Sequence, residues 1–415
     1  VDKLTLLIDT PDGLLHREVA AAAPLPEGVE RGVAAEEAIR FAAALWGMPD
    51  FIFEPTHEAS GSGVREVGDG ILITSGVAVM IQSKARSGVG STPDKERNWL
   101  DKNIAKGLRQ GAGSIRRLRS GPVQMTNRRG REVTIDGAAL SWVSVVLVDH
   151  DSVPEGYVPP ELPSDAVVMM RRDWEFLFNH LRSARWVAHY LSRIVGGPQT
   201  LGTEPVRYHE LALADLAVPE QETPHWATNT AVLMPMPSAP LEVASAETTD
   251  AHLVLRSIQE DIALTPAPSA RELDRIEVLS RLDGIPVAGR TELGERLRSY
   301  MAEAGTWSRR SLITSTRVYL PTQPGPFESP VVLMVASRLD EMTRMVFRAR
   351  VELAHHDFME DTGVGELLSV GVLLSPGRPG VREWDTTMVA MEGDLELDPD
   401  YVRHIRAQLD STLRT

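Results

Sequence analysis

Three residue types that can act together on a phosphate ester lie close along this chain: a carboxylate at Asp69, an amide at Gln82 and an ammonium at Lys84. Asp69 opens the run Gly70-Ile-Leu-Ile-Thr, a Ser75-Gly76 turn follows, and Val77-Ala-Val-Met-Ile-Gln82-Ser-Lys84 leads away from it. The pattern predicts two adjacent strands. The two-residue side-chain period of a strand puts Gln82 and Lys84 on the same face. A strand of Val, Met and Ile rarely ends in a lysine unless that charge has a partner or a task. A carboxylate can hold a hard divalent cation. A neighbouring ammonium can steady developing charge and lower the pKa of an attacking water. Residues of these types in this arrangement point to metal-dependent phosphodiester hydrolysis.

Each residue taken singly also has a plain structural reading. Asp69, between Gly68 and Gly70, suits a turn or bulge; Lys84, beside Arg86, suits a strand-end lysine that snorkels to water; Gln82 suits an ordinary hydrogen-bonded amide. Charge distribution favours the chemical reading. The chain carries a formal charge of −15, yet Lys84 to Arg131 holds thirteen Lys or Arg against three Asp or Glu. A basic segment directly after the lysine-bearing strand is where a phosphate track belongs.

The elements that must position these groups follow from periodicity. Leu4 to Ile8 predicts a strand. Ala35 to Leu45 predicts a helix, with Ala38, Phe41, Ala42 and Leu45 as its apolar face and Pro49 beyond its end. Phe51 to Glu54 predicts a strand, and residues 64–74 and 77–84 two more. Pro93 to Leu118 predicts a long helix, in which Gly107, Gly111 and Gly113 either weaken the helix or allow close backbone approach. A hairpin is expected around Asn127 to Gly130, then strands at Ser141 to Val148 and Ala166 to Met170 and one helix from Asp173 to Val195. The continuous apolar run of 141–148 suits a strand covered on both faces.

In this order, helix–strand–strand–strand–helix–strand, the first region resembles the PD-(D/E)XK nuclease superfamily, closest to its Mrr-type restriction endonuclease branch with a D…QxK motif. The resemblance covers roughly residues 30–197. It rests on the acidic helix with Glu36 and Glu37, the strand-borne Asp69, Gln82-x-Lys84, and the basic helix bearing Gln110. It implies a restriction-endonuclease-like αβββαβ domain acting on DNA with Mg2+ or Mn2+, in restriction or defence against foreign DNA. It further implies that Asp69 binds the metal, Gln82 helps to hold it, and Lys84 activates water. Glu37, preferred to Glu36 because it lies near the expected apolar face at Phe41, would complete the metal ligands Asp69, Gln82 and Glu37. Lys102, Lys106, Arg109 and Gln110 would contact substrate. Glutamine departs from the usual acid and brings one negative charge fewer to the metal. The rival expectation is therefore a catalytically inactive nuclease-fold protein that serves as a nucleic-acid-binding or adaptor module, and RNA is a rival substrate.

The rest of the chain narrows the class. It has 415 residues, enough for two or three domains, and no cysteine, which excludes disulfides and thiolate metal sites. No apolar run approaches the ~18 residues of a membrane span, and Val1-Asp2-Lys3 does not open a signal peptide. The expectation is a cytoplasmic protein with no membrane partner. An α/β class is expected throughout: residues 1–197 as the nuclease-like domain, 198–267 as an irregular linker with Pro-rich stretches at 235–240 and 265–268, and 268–415 as a C-terminal α/β or α+β module. In that module Ala270 to Leu282, Thr291 to Ala304 and Asp400 to Leu413 predict helices. Val331 to Ala336, Leu367 to Leu374 and Thr386 to Met391 predict strands, and Ser337 with Asp340 is a capping pair for a helix to about Phe358. The module would provide a homodimer contact or dock a protein partner. The mixed charge of 291–304 disfavours a groove-reading helix. His355, His356, Asp357 and Glu360 fit a helix end better than a metal centre, because adjacent histidines on a helix point ~100° apart.

Overall fold

The computed structural model describes residues 3–11, 13–54, 57–60, 63–66, 68–88, 92–217, 232–233, 248–266, 271–304, 306, 312–320, 329–365, 367–377, 382 and 384–412. The expected Pro-rich segment 235–240 lies outside these residues, as do Ala267 and Pro268 of the second. The chain is mixed α/β and divides into two compact units. The first comprises Val1–Val218, Ser238–Val243 and Ala270–Glu277; the second comprises Pro219–Pro237, Ala244–Ser269 and Val278–Thr415.

The first unit opens with an antiparallel hairpin, β1 (Leu4–Thr10) and β2 (Gly13–Val19), whose Leu6, Ile8 and Val19 pack with Phe176 and Leu213. Helix α1 (Arg31–Gly47) follows, then β3 (Ile52–Phe53), a hairpin of β4 (His57–Ser60) and β5 (Gly63–Glu66), β6 (Gly70–Ile73) and β7 (Val77–Ala85). Helix α2 (Pro93–Leu118) leads to a second hairpin, β8 (Val123–Thr126) and β9 (Glu132–Ile135), then β10 (Ser141–Asp149) and β11 (Ala166–Met170). Helices α3 (Arg171–Leu181), α4 (Ala184–Ile194) and α5 (Glu204–Leu216) complete the unit.

Its main sheet has the order β11-β10-β7-β6-β3. Strands β3, β6 and β7 run antiparallel, whereas β7, β10 and β11 run parallel. Both faces are covered, which is why β7 and β10 read as nearly unbroken apolar runs. Helix α2 covers one face. Its start is set by Thr92, whose hydroxyl accepts from the Lys95 amide at 3.4 Å, and by Pro93 in the first turn. Gly107 and Gly111 let it approach closely: a Cβ on Gly107 would lie 3.0 Å from Val146 Cγ1, and one on Gly111 would strike Ser144 Oγ. Helices α1 and α3 lie on the other face, where the Trp174 indole donates to the Ile39 carbonyl at 3.1 Å.

Two expectations are corrected in this region. The helix expected over 173–195 is two helices. Arg182 adopts a left-handed conformation (φ 50°), and Ser183 caps α4 by accepting from the Trp186 amide at 3.0 Å. A side-chain-bearing residue there costs roughly 1–2 kcal/mol; the cap and the stacking of Arg182 on Trp46, 4.2 Å from the ring centroid, oppose that cost. The irregular stretch expected over 198–267 contains α5, because Pro205 sits in a first helical turn, where it starts a helix rather than breaking one.

The second unit contains β12 (Val232–Leu233), α6 (Thr249–Leu264), the C-terminal part of α7 (Glu272–Asp283), α8 (Val287–Ala304), β13 (Thr314–Tyr319), β14 (Val331–Ala336), α9 (Glu341–Thr362), β15 (Leu368–Pro376), β16 (Trp384–Glu392) and α10 (Pro399–Thr412). Helix α6 likewise falls in the stretch expected to be irregular. The sheet order is β12-β13-β14-β15-β16, with β14 and β15 parallel and the pairs β13–β14 and β15–β16 antiparallel. Phe347, Val351 and Phe358 of α9 pack on Val332 and Met334 of β14. Asp340 caps α9 by accepting from the Thr343 amide at 2.9 Å; Ser337, expected to share that task, instead accepts from the Ile313 amide at 3.1 Å. His355 is buried between the Ser369 hydroxyl (2.9 Å) and the Gly393 carbonyl (2.7 Å), and burial lowers its pKa. It is a packed core histidine. Among the described residues no helix is long and apolar enough to cross a membrane.

Candidate active site

The turn before β6 needs a left-handed residue, and Gly68 supplies it at φ +79°. Asp69 follows, half-buried, with its amide donating to the Ile81 carbonyl at 3.1 Å. Its carboxylate crosses to the neighbouring strand, where Oδ2 accepts from the Ser83 amide at 2.5 Å and lies 3.8 Å from Lys84 Nζ. Lys84 Nζ also donates to the Ser83 carbonyl at 2.8 Å. The two charged side chains are 17% and 13% exposed, so solvent screens their attraction only in part. The acid and the amine expected to meet do meet.

Burial pushes the Lys84 ammonium below the usual lysine pKa. Asp69 pulls it back up, Lys106 pushes it down and Glu36 raises it. The lysine stem runs under α2, 3.3 Å from where a Cβ on Gly107 would stand. Gln82 shares the Lys84 face, is 2% exposed, and lies between Gly68 and Gly111: its Nε2 is 3.5 Å from a Cβ built on the first and its Cγ 3.7 Å from one on the second.

On helix α1 it is Glu36, and not Glu37, whose charge acts on Lys84, as the weakest of four influences on its pKa. The face expected to be apolar points outward: Phe41 is 57% and Leu45 50% exposed, whereas Ala35, Ile39 and Ala43 are buried. Glu37 stands on the outward side. Arg128 grips it with two hydrogen bonds of 2.7 and 3.1 Å, Arg40 adds one of 3.2 Å, and Arg128 holds its pKa below the usual carboxylate value. The carboxylate of Glu36 is the one whose charge reaches Lys84. Arg40, one turn further and on the same side of α1, donates to the Asp69 carbonyl at 2.7 Å and ties the helix to the turn. The spacing of Glu36 and Arg40 was the sequence signal that could have found this side.

The four residues expected to meet substrate, Lys102, Lys106, Arg109 and Gln110, are all exposed on α2. Helical spacing places Lys102, Lys106 and Arg109 on one side, and the charge of Lys106 reaches Lys84. Among the described residues no three His, Asp or Glu side chains gather to hold a metal ion. A metal here would draw on two carboxylates, Asp69 and Glu36, with the amide oxygen of Gln82. Mg2+ commonly binds through one or two carboxylates, keeping waters and taking substrate phosphate oxygens, so this donor set fits it. No family model, no curated protein and no solved structure matches the chain.

Proposed function

We propose that the first unit is a Mg2+-dependent hydrolase of phosphodiester bonds in DNA, related to the PD-(D/E)XK nucleases. The observation that carries this is the half-buried Asp69–Lys84 contact at 3.8 Å, with Gln82 on the lysine's face and Glu36 acting on the same ammonium. The element order α1-β3-β6-β7-α2-β10, with an antiparallel meander followed by a parallel strand, supports the αβββαβ reading.

Asp69 and Glu36 would hold Mg2+ (or Mn2+) with Gln82, and the cation would supply Lewis-acid polarisation of the phosphate and a more acidic water. Lys84 orients the attacking water and stabilises charge on the phosphoryl oxygens; burial lowers its pKa and Asp69 opposes that shift. Water oxygen bonds to phosphorus, the bond from phosphorus to the 3′ oxygen breaks, and a 5′-phosphate and a 3′-hydroxyl result. Lys106, with Lys102 and Arg109 beside it, holds the strand's neighbouring phosphates.

The rival reading, a nucleic-acid-binding module that does not cut, draws on one observation: Asp69 Oδ2 is already held by the Ser83 amide and lies beside Lys84. A plasmid-cleavage assay with Mg2+ or Mn2+ against EDTA separates the two. Asp69→Ala and Lys84→Ala lose cleavage on the order of 10²–10⁴-fold, with the fold retained by circular dichroism, and Glu36→Gln follows them. Cleavage at the unaltered rate by either alanine variant removes the catalytic assignment. The same assay on RNA decides the substrate class.

A further inference from the structure

The carboxyl end of β10, the strand beside Lys84 at a spacing of about 4.8 Å, and that of β11 beyond it open into a cavity of about 650 Å3. The residues lining it take no part in the hydrolysis proposed above. Its walls are aliphatic, with Ala22, Leu25, Val29, Val153, Pro154 and Met170. Its polar side is a ladder of alternating charge. Asp151 accepts two bonds from Arg31 (2.5 and 2.8 Å), and Arg31 also reaches Asp149 (2.7 Å). Asp149 accepts from Arg171 (2.9 Å), and Arg171 also holds Glu175. The ladder ties down the segment that roofs the cavity, since Arg171 donates to the Ala23 carbonyl at 2.9 Å and the Ala23 amide donates to Glu175 at 2.7 Å.

The charge balance narrows the ligand. Arg31, Arg171 and Arg172 line the cavity with Asp149, Asp151 and Glu155, and burial lowers the pKa of His150. Positive and negative side chains match, so a phosphate gains little there. A neutral, flat group carrying both donors and acceptors gains more. Asp151, 46% exposed and held ionised by Arg31, offers an acceptor beside the guanidinium donor, and the aliphatic walls accept ring faces. The volume falls within the range of small-molecule pockets.

Helix α1 measures the distance to the chemistry. Arg31 stands at the end of β10, Glu36 acts on Lys84 of β7, and Arg40 holds Asp69 before β6. Arg31 and Glu36 are thus about 7.5 Å apart along the helix axis, close to two stacked nucleotide steps of about 3.4 Å. We infer that the cavity receives a nucleobase of the bound strand, turned out of its stack within about two nucleotides of the scissile phosphate. This rests on the hydrolase reading. Turning a base out costs least in single-stranded or mismatched DNA, so such substrates bind best.

The test is binding of fluorescein-labelled single-stranded DNA in EDTA, followed by anisotropy, with one abasic nucleotide moved along the strand. The unaltered protein loses about tenfold in affinity when the abasic site falls at one position, in the range that one stacked base contributes. Ala22→Trp, which narrows the cavity, binds the intact strand about tenfold more weakly and no longer distinguishes the abasic position. Asp151→Asn keeps the size but turns one of the two oxygens that accept from Arg31 into a donor, and so changes which base binds best at that position. A flat abasic profile, with unchanged affinity in a folded Ala22→Trp, overturns the inference. Free deoxynucleoside monophosphates that raise the melting temperature while the strand profile stays flat also overturn it, moving base recognition to a free nucleotide. No hydrolysis is needed for this measurement, so a protein that binds strands in this pattern but never cuts them loses only the hydrolase reading.

Discussion

Two regions of the basic segment look alike in sequence and differ in what their charges do. In the β8–β9 hairpin, Arg129 and Arg131 close on Asp50, which is 0% exposed, at 2.6 and 3.4 Å, and Arg128 closes on Glu37. Arg131 reaches Glu272 as well. On α2, Lys102, Lys106 and Arg109 are exposed and have no ion pair among the described residues. The hairpin cations are scaffold, while the helix cations remain available to a polyanion. A local excess of charge marks a binding face only after each cation has been checked for an internal partner.

The sharpest way to break this contrast is Asp50→Ala. It leaves two arginines without their buried counter-charge and should cost about 3 kcal/mol, read by urea denaturation, with the DNA affinity of the folded fraction unchanged. Lys102, Lys106 and Arg109 replaced together by alanine should do the opposite. The slope of log affinity against log salt falls in magnitude by about 2.7 on duplex DNA, or about 2.1 on a single strand, if each cation neutralises one phosphate, while the melting temperature stays within about 2 °C. The smallest effect belongs to Glu37. Its folded-state pKa is lowered, so the stability it adds is present above the unfolded value of 4.5 and is lost as pH falls through the lower folded value. Because its side chain is 51% exposed, solvent screening holds that contribution to a few tenths of a kcal/mol. Melting curves of Glu37→Gln and the unaltered chain should therefore converge as pH falls from about 5 toward 3. A gap that widens toward acid contradicts the sign.

What was legible in the sequence was local. The apolar run from Val77 to Ile81 identified β7 and the strand period put Gln82 with Lys84, Pro93 marked the start of α2, and the apolar runs of β10, β11 and β14 stood where expected. What was hidden depends on distant partners. Helix α1 carries apolar residues on several sides, so Phe41 and Leu45 mimicked a core face and drew the choice toward Glu37. Asp50 and Arg129 are far apart in sequence, and no periodicity links them. The break at Arg182 follows from a cap and a ring stack that a helical pattern running through it conceals.

The glycines of α2 have one more consequence. At Gly107 and Gly111 only hydrogen atoms separate the helix backbone from Lys84, Val146 and Ser144. The cationic side of α2 is therefore registered against the lysine amine by direct backbone seating, with no adjustable side chain between. A methyl group at Gly107 would press on Val146 and one at Gly111 on Ser144; whatever those side chains do not yield, α2 takes up, shifting Lys102, Lys106 and Arg109 together while each keeps its charge.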